Sequence, residues 1–354
     1  INKRKRKMSK QIISICVCMF LIIGCSEKKK ADSNELTLYT HRHYDTDKAI
    51  IKAFEQRSGI KVNVVKAKAD ELIQKMVSEG KQSPADLLLT VDAGRLVRAK
   101  QKGLLQAVSS NVLTESIPTH LRDSENHWFG LTKRARIIAY DKTKVNPSDL
   151  STYEALADPK WKGKVLIRSS NNIYNQSLLA SLIANNGVDE AKIWSTNVTK
   201  NFARIPKGND RDQVKAILAN EGELAIINTY YMGKLLNSKD PAEVAAAKAV
   251  SLFFPNQNGR GTHINISGIG VAKHAPNKEN AIKFIEYLVS TDVQELFAKA
   301  NYEYPVNPKA SISDLLKSWG SFKEDRLELT KLGELNKQAV VIFDEVKWDK
   351  GPNL

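Results

Sequence analysis

The chain has 354 residues, 42% of them hydrophobic and 26% charged, with a formal net charge of +15. That is enough length for two ordinary domains and enough apolar content for a sizeable core. The charge is uneven: residues 1–24 carry six Lys/Arg and no acid, so the remainder carries +9 and is only mildly basic; with no basic helix interleaved with aromatics, a nucleic-acid partner is not expected.

The opening "INKRKRKMSKQIISICVCMFLIIGCSEKKKADSNE" pairs a basic stretch with an apolar run from Ile12 to Ile23. This is the pattern of an export signal, and the run is too short to span a bilayer comfortably. Its end, "IIGC", is like a lipobox, so residues 1–25 are expected to be a signal peptide whose Cys25 is acylated. An ordinary signal peptide cut near residue 31 is the alternative. Residues 26–34 are polar and suit a tether. All three cysteines (Cys16, Cys18, Cys25) fall in this segment. The rest of the chain therefore has no thiol for disulfides or metal ligation, and any metal site there must use oxygen and nitrogen.

Strand-like and helical stretches then alternate. "ELTLYT" (Glu35–Thr40) reads as a strand, "DTDKAIIKAFEQRSG" as a helix capped by Asp45 or Thr46 and stopped at Gly59. "KVNVVKA", "ADELIQKMVSEG", "ADLLLTV" and "DAGRLVRAKQKG" repeat the strand–helix order, the third strand as apolar as one buried in a parallel sheet. The pattern restarts with strands at Arg134–Asp141 and Trp161–Ser170, the helix "YNQSLLASLIANNG", the strand Glu223–Asn228 and the helix "TYYMGKLLNS". "GIGVAK" (Gly268–Lys273) reads as a return strand, followed by the helical "NKENAIKFIEYLVSTDVQELFAKAN". This order implies α/β architecture. Two extended crossings, near 137–140 and 268–272, would join two lobes around a cleft.

Common catalytic signatures are missing. The six histidines (His41, His43, His120, His127, His263, His274) form no HExxH, and there is no GxSxG elbow or P-loop. "GIGVAK" lacks the third glycine of a dinucleotide turn.

The tyrosines carry the positive signal. In open α/β sheets, ligands bind beyond the carboxyl ends of strands, where loops lead into helices. Tyr44, Tyr174, Tyr230 and Tyr231 all sit at such points. With Asn228 or Thr229 as cap, Tyr230 and Tyr231 occupy a strand-to-helix turn, where adjacent side chains can converge and the helix dipole favours negative charge. A free phenol has a pKa near 10, but a highly charged cation displaces its proton. Hard oxygen donors suit a hard ion such as Fe(3+); zinc more often draws His and Cys, calcium carboxylates and carbonyls. His43, beside Tyr44, is either a nitrogen donor or a bystander. Arg134 and Arg136 alternate onto one face of a crossing strand; Arg134 either reaches a phenolate or a bound anion, or stays solvated.

The motifs "LTLYTHRHYDTD", "IRSSNNIYNQSL", "NFARIPKGNDRDQVKAILANEGELAIINTYYMGKL", "HINISGIGVAKHAPNKENAIKFIEYL" and "NYEYPVNP" together resemble the ferric-iron-binding periplasmic proteins of bacterial iron ABC importers. Within the type II periplasmic binding proteins, they resemble the tyrosine-rich cyanobacterial-type branch. The resemblance spans most of 35–310. It implies two lobes of mostly parallel sheet flanked by helices, closing about a hinge of two crossing strands: 35–136 with 268–310 as lobe 1, 137–267 as lobe 2, and 311–354 as a C-terminal helical segment. It implies Fe(3+) held by Tyr44, Tyr174, Tyr230 and Tyr231, with His43 a ligand in some members and Arg134 reaching the site from behind. It also implies delivery by a monomer to an ABC permease with a cytoplasmic ATPase. The location is periplasmic, or anchored on the outer face of the cytoplasmic membrane through an N-terminal lipid. The alternatives are a binding protein of the same fold for a small organic solute, and an exported hydrolase.

Overall fold

A computed structural model describes residues 34–42 and 44–352. The expected signal peptide, nearly all of the expected tether, the three cysteines and His43 lie outside the described residues. The chain runs β1 (Glu35–Thr40), α1 (Asp45–Ser58), β2 (Lys61–Lys66), α2 (Ala69–Glu79), β3 (Leu87–Val91), α3 (Ala93–Gln101), β4 (Leu105–Gln106) and α4 (Asn111–Ser116), then enters the long strand β5 (Phe129–Asp141). Next come β6 (Val165–Leu166), α5 (Ile173–Asn186), α6 (Val188–Lys200), α7 (Asp210–Leu218), β7 (Leu224–Asn228), α8 (Thr229–Leu236), α9 (Pro241–Ala249) and β8 (Val250–Phe253). The return strand β9 (Ile264–Ala272) leads to α10 (Lys278–Leu288), α11 (Thr291–Ala300), β10 (Tyr304–Pro305), α12 (Asp314–Ser318), α13 (Thr330–Glu334) and α14 (Asn336–Glu345).

The α/β class and its two-lobed build follow from how these strands pair. Strand order β2-β1-β3-β9-β5-β7-β6 makes a curled sheet in which β5 belongs to both lobes. Its first half, Phe129 to Ala135, pairs with β9; its second half, from Arg136, pairs with β7 and from Ile138 also with β8. The sequence reading expected mostly parallel sheets. Parallel pairing holds for β1 with β2 and β3, and for β6 with β7. Around β5 and β9 the ladders are antiparallel, because a strand returning from the other lobe enters its sheet reversed. The crossings also lie elsewhere than expected. β5 changes partners between Ala135 and Arg136, and β9 begins at Ile264 opposite Ala135. Residues 264–267, expected in lobe 2, thus pair with the first sheet.

β3, β7 and β9 are buried along their whole length, which explains their unbroken apolar runs. The glycines of "GIGVAK" serve this packing: a Cβ on Gly268 or Gly270 would stand 2.7 Å from the carbonyl oxygen of Phe129 or His127. The strand expected over Trp161–Ser170 shrinks to Val165–Leu166, the sheet edge beside β7. α1 starts one residue earlier than read, with Tyr44 itself in the N-cap position, and stops at Gly59 in the left-handed region (φ 71°).

The C-terminal segment carries α12, α13 and α14, and it bridges. α13 packs on α3 of the first lobe and α5 of the second, and α14 packs on α5. At the same junction Asp92 caps α3 from a left-handed backbone (φ 84°). Its buried carboxylate accepts from Gly94 N (2.9 Å), Asn265 Nδ2 (2.9 Å) and, across the lobes, Ser177 Oγ (2.8 Å). Removing it strands three buried donors, so Asp92→Ala is expected to cost about 3 kcal/mol in urea unfolding. A loss below about 1 kcal/mol, the scale of one ordinary hydrogen bond, would show that Asp92 does not fasten this junction.

Candidate functional site

The site begins with three strand-to-helix turns. Tyr44 ends the loop after β1 and caps α1. Tyr174 is the second residue of α5, its amide held by the Asn172 side chain at 3.2 Å. Tyr230 and Tyr231 lie in the first turn of α8, directly after β7. That turn is tied to the crossing strand: Thr229 Oγ1 accepts from Ala135 N (3.3 Å), and Asp210 accepts from Asn228 N (2.8 Å). Asn228 occupies the N-cap position but its side chain makes no cap bond.

These turns bring the expected tyrosines together. The hydroxyls of Tyr174 and Tyr230 are 3.3 Å apart. The rings of Tyr230 and Tyr231 lie 4.2 Å apart at 31°, the convergence that a plain strand or mid-helix would not give two neighbours. Tyr44 joins from the other lobe: Lys234 Nζ sits 3.7 Å from its ring centre and 5.3 Å from that of Tyr230.

Burial disfavours ionisation of Tyr44, Tyr230 and Tyr231. It pushes the Tyr44 pKa up, with Glu303 adding and Arg42 opposing. It pushes Tyr230 up as well, with Tyr174, Tyr231 and Tyr44 adding. Tyr231 also rises by burial, then by Tyr174 and Asp210, while Arg168 pulls it down. A phenolate here would repel its neighbours, so none ionises unless a cation arrives to bind them.

The surroundings are cationic. The guanidinium carbons of Arg134, Arg136 and Arg168 lie 5.7, 5.9 and 5.7 Å from the Tyr174 ring centre. Asp210 neutralises two of them, Arg136 at 2.7 Å and Arg168 at 3.1 Å. Arg134 is different. It is 1% exposed, no carboxylate among the described residues pairs with it, and its one hydrogen bond goes to Ser267 Oγ (3.3 Å). Its Nε and Nη2 have no partner. The reading of Arg134 as solvated therefore fails: the strand alternation that put it on one face with Arg136 buries both. Three helix N-termini add their positive ends to the same region.

Sequence reasoning missed several neighbours. Lys234 stands four residues after Tyr230 on the same face of α8, a spacing that could have flagged it. Burial pulls its pKa down to about 8, against the pull of Glu303. Glu303 accepts from Arg42 (3.1 Å) and Thr132 Oγ1 (2.9 Å), and Arg42 covers the Tyr44 ring at 4.9 Å. These long-range partners left no local mark in the sequence. Among the described residues, one trio of other metal-ligating side chains gathers, Asp123, Glu125 and His127. Lys100 already bonds both carboxylates, at 2.9 and 2.6 Å.

One close contact joins α8 to the segment after α11. Tyr302, with a left-handed backbone (φ 59°), lays its ring on Gly233 of α8; a Cβ there would stand 2.2 Å from Tyr302 Cγ. Gly233→Ala is expected to hold α8 off the first lobe, read as a larger radius of gyration in X-ray scattering. An unchanged radius would mean that this contact does not limit closure.

The pattern of the bacterial extracellular solute-binding proteins matches residues 49–324. Iron uptake protein A1 of Synechocystis sp. is 47% identical over 97% of this chain and 99% of its own length. The Major ferric iron-binding protein of Neisseria meningitidis is 27% identical, over 77% of this chain and 81% of its own. Among solved structures, a Trichodesmium protein in complex with iron and citrate superposes with a TM-score of 0.87 at 52% identity, over 89% of this chain and 99% of its own. The ferric binding protein from Campylobacter jejuni gives 0.83 at 47%, over 88% and 99%.

Proposed function

The chain belongs to the bacterial extracellular solute-binding protein family, and from that membership and the phenol cluster we propose that it captures ferric iron between its lobes for an ABC importer. Its class binds and hands on solutes in the periplasm. The observation that carries the reading is the convergence of Tyr44, Tyr174, Tyr230 and Tyr231, phenols from both lobes at three helix N-termini. In this reading those four residues are the iron ligands. His43 stands next to Tyr44 and adds a nitrogen donor or leaves that position to solvent. The chain acts as a monomer, and acylation of Cys25 tethers it to the membrane beside its permease.

The mechanism follows from charge. Without cargo the phenols are neutral and their hydroxyls hydrogen-bond one another. A ferric ion replaces their protons, and four phenolates on a triply charged ion leave a complex with a net charge of about −1. Arg134, which forms no direct ion pair with a carboxylate, offsets that charge from behind Tyr174. Lys234 offsets it from between Tyr44 and Tyr230, and stays protonated because the phenolates replace neutral groups beside it. Since Tyr44 comes from one lobe and the other three from the second, the ion stabilises the closed form over the open one. Protonation of the phenolates, reduction of the ion or opening by the permease reverses the process.

Two outcomes test the proposal. Adding ferric citrate to the metal-free protein is expected to raise a visible phenolate-to-iron charge-transfer band that weakens in Tyr230→Phe and Tyr231→Phe. Tight solute binding with no band would favour an organic cargo. Loading should also release protons in proportion to the phenols used. In a pH-stat at pH 7, each Tyr→Phe variant at the four positions is expected to release about one proton fewer than wild type. Equal release by all variants would remove the tyrosines from the ligand set.

A further inference from the structure

A cavity of about 500 Å³ lies between α1 and the first sheet, apart from the phenols. α1 docks beside it through two buried side chains. Phe54 meets Phe284 at 4.8 Å and Tyr287 at 5.3 Å, and Ile50 is the other side chain the helix buries. Asp47, Lys48, Ile50, Ile51 and Lys52 of α1 line the cavity on one side, and Leu38, Leu89 and Leu131 of the sheet line it on the other. Phe284 and Phe297 close the far end. The volume is that of a small-molecule site, and its walls are apolar.

The mouth is different in kind. It opens between α1 and the edge strand β2, and is lined by Lys48, Lys52 and Lys66 beside Val64, which is 37% exposed. Lys48 is paired with Asp45 (2.8 Å), whereas Lys52 and Lys66 make no ion pair among the described residues. The acids that line the cavity are committed elsewhere. Asp47 is bonded to Arg42 (3.0 Å), and Glu55 accepts from Val62 N (2.8 Å). A dry apolar space gains nothing from water and loses dispersion contacts while empty. A lip with two unpaired ammonium groups attracts an anion.

We propose that this cavity binds a single-chain amphiphile with a carboxylate head: the hydrocarbon lies under α1 against Leu38, Leu89 and Leu131, and the carboxylate sits between Lys52 and Lys66. Nothing in iron capture requires the site. It does touch the loop that carries Tyr44, since Arg42 and Asp47 line its inner wall.

The test uses the whole exported protein, stripped of lipid, with cis-parinaric acid as fluorescent probe. Probe fluorescence is expected to rise and saturate, and dodecanoate to displace it. Dodecyltrimethylammonium, with the same chain and the opposite charge, should displace it about tenfold less well. The double variant Lys52→Glu/Lys66→Glu, both on the surface, should weaken the probe about tenfold while leaving the ferric band intact. Ile51→Trp, which fills the space from α1, should abolish binding. No saturable binding, equal displacement by the cationic amphiphile, or full binding by Ile51→Trp would each overturn the proposal. Should Ile51→Trp fail to fold, the lysine variant and the headgroup comparison still decide it.

Discussion

Everything at this site depends on gathering phenols from both lobes and drawing Tyr44, Tyr230 and Tyr231 partly or wholly out of water without giving them charge. A phenol exposed to solvent is a poor ligand only because its proton is held near pH 10. A buried one holds it more tightly still, and here burial pushes Tyr44, Tyr230 and Tyr231 upward. The protein sets against this a field that welcomes negative charge: three helix N-termini, Arg134 with no carboxylate partner, and Lys234 between two rings. The field does not ionise the phenols by itself. It makes ionisation cheap once a trivalent ion supplies most of the driving force. With these phenols as the proposed ligands, the site would discriminate by charge, since a divalent ion repays fewer phenol protons.

The fold exists to bring these groups to one place from distant parts of the chain. β5 is the spine. Its first half belongs to one sheet and its second half to the other, and the change of partners falls at Ala135 and Arg136. Arg134 lies just before that change, and Ala135 bonds the first residue of the tyrosine helix. Motion at the hinge therefore moves the cationic wall and the tyrosine pair in concert. The bonds of Asp92 to Ser177, and α13 packed against α3 and α5, tie the lobes together. Tyr302 packs against Gly233 of α8 with no room for a side chain there.

Much of this was legible in the sequence, for identifiable reasons. Strand ends and helix starts are local events, so Tyr44, Tyr174, Tyr230 and Tyr231 could be placed at corresponding turns from periodicity and caps alone. The buried strands β3, β7 and β9 announced themselves as apolar runs. What could not be read depends on pairing over long separations. The shift of the crossing to residues 135 and 264 follows from the β5–β9 register, which no local pattern encodes. Glu303 reaches Arg42 across 261 residues. The status of Arg134 depends on what does not face it, which only a fold reveals. Tyr44 as the cap of its own helix went unread because Asp45 and Thr46 are the better caps by chemistry.

The most direct test of the central claim is a crystal structure of the iron-loaded protein with anomalous data collected at the iron edge. One strong anomalous peak is expected within bonding distance of the phenol oxygens of Tyr44, Tyr174, Tyr230 and Tyr231, with both lobes closed on it. A peak bonded to other side chains, or iron held in a lobe that leaves Tyr44 or the Tyr230–Tyr231 pair unbonded, would contradict that claim.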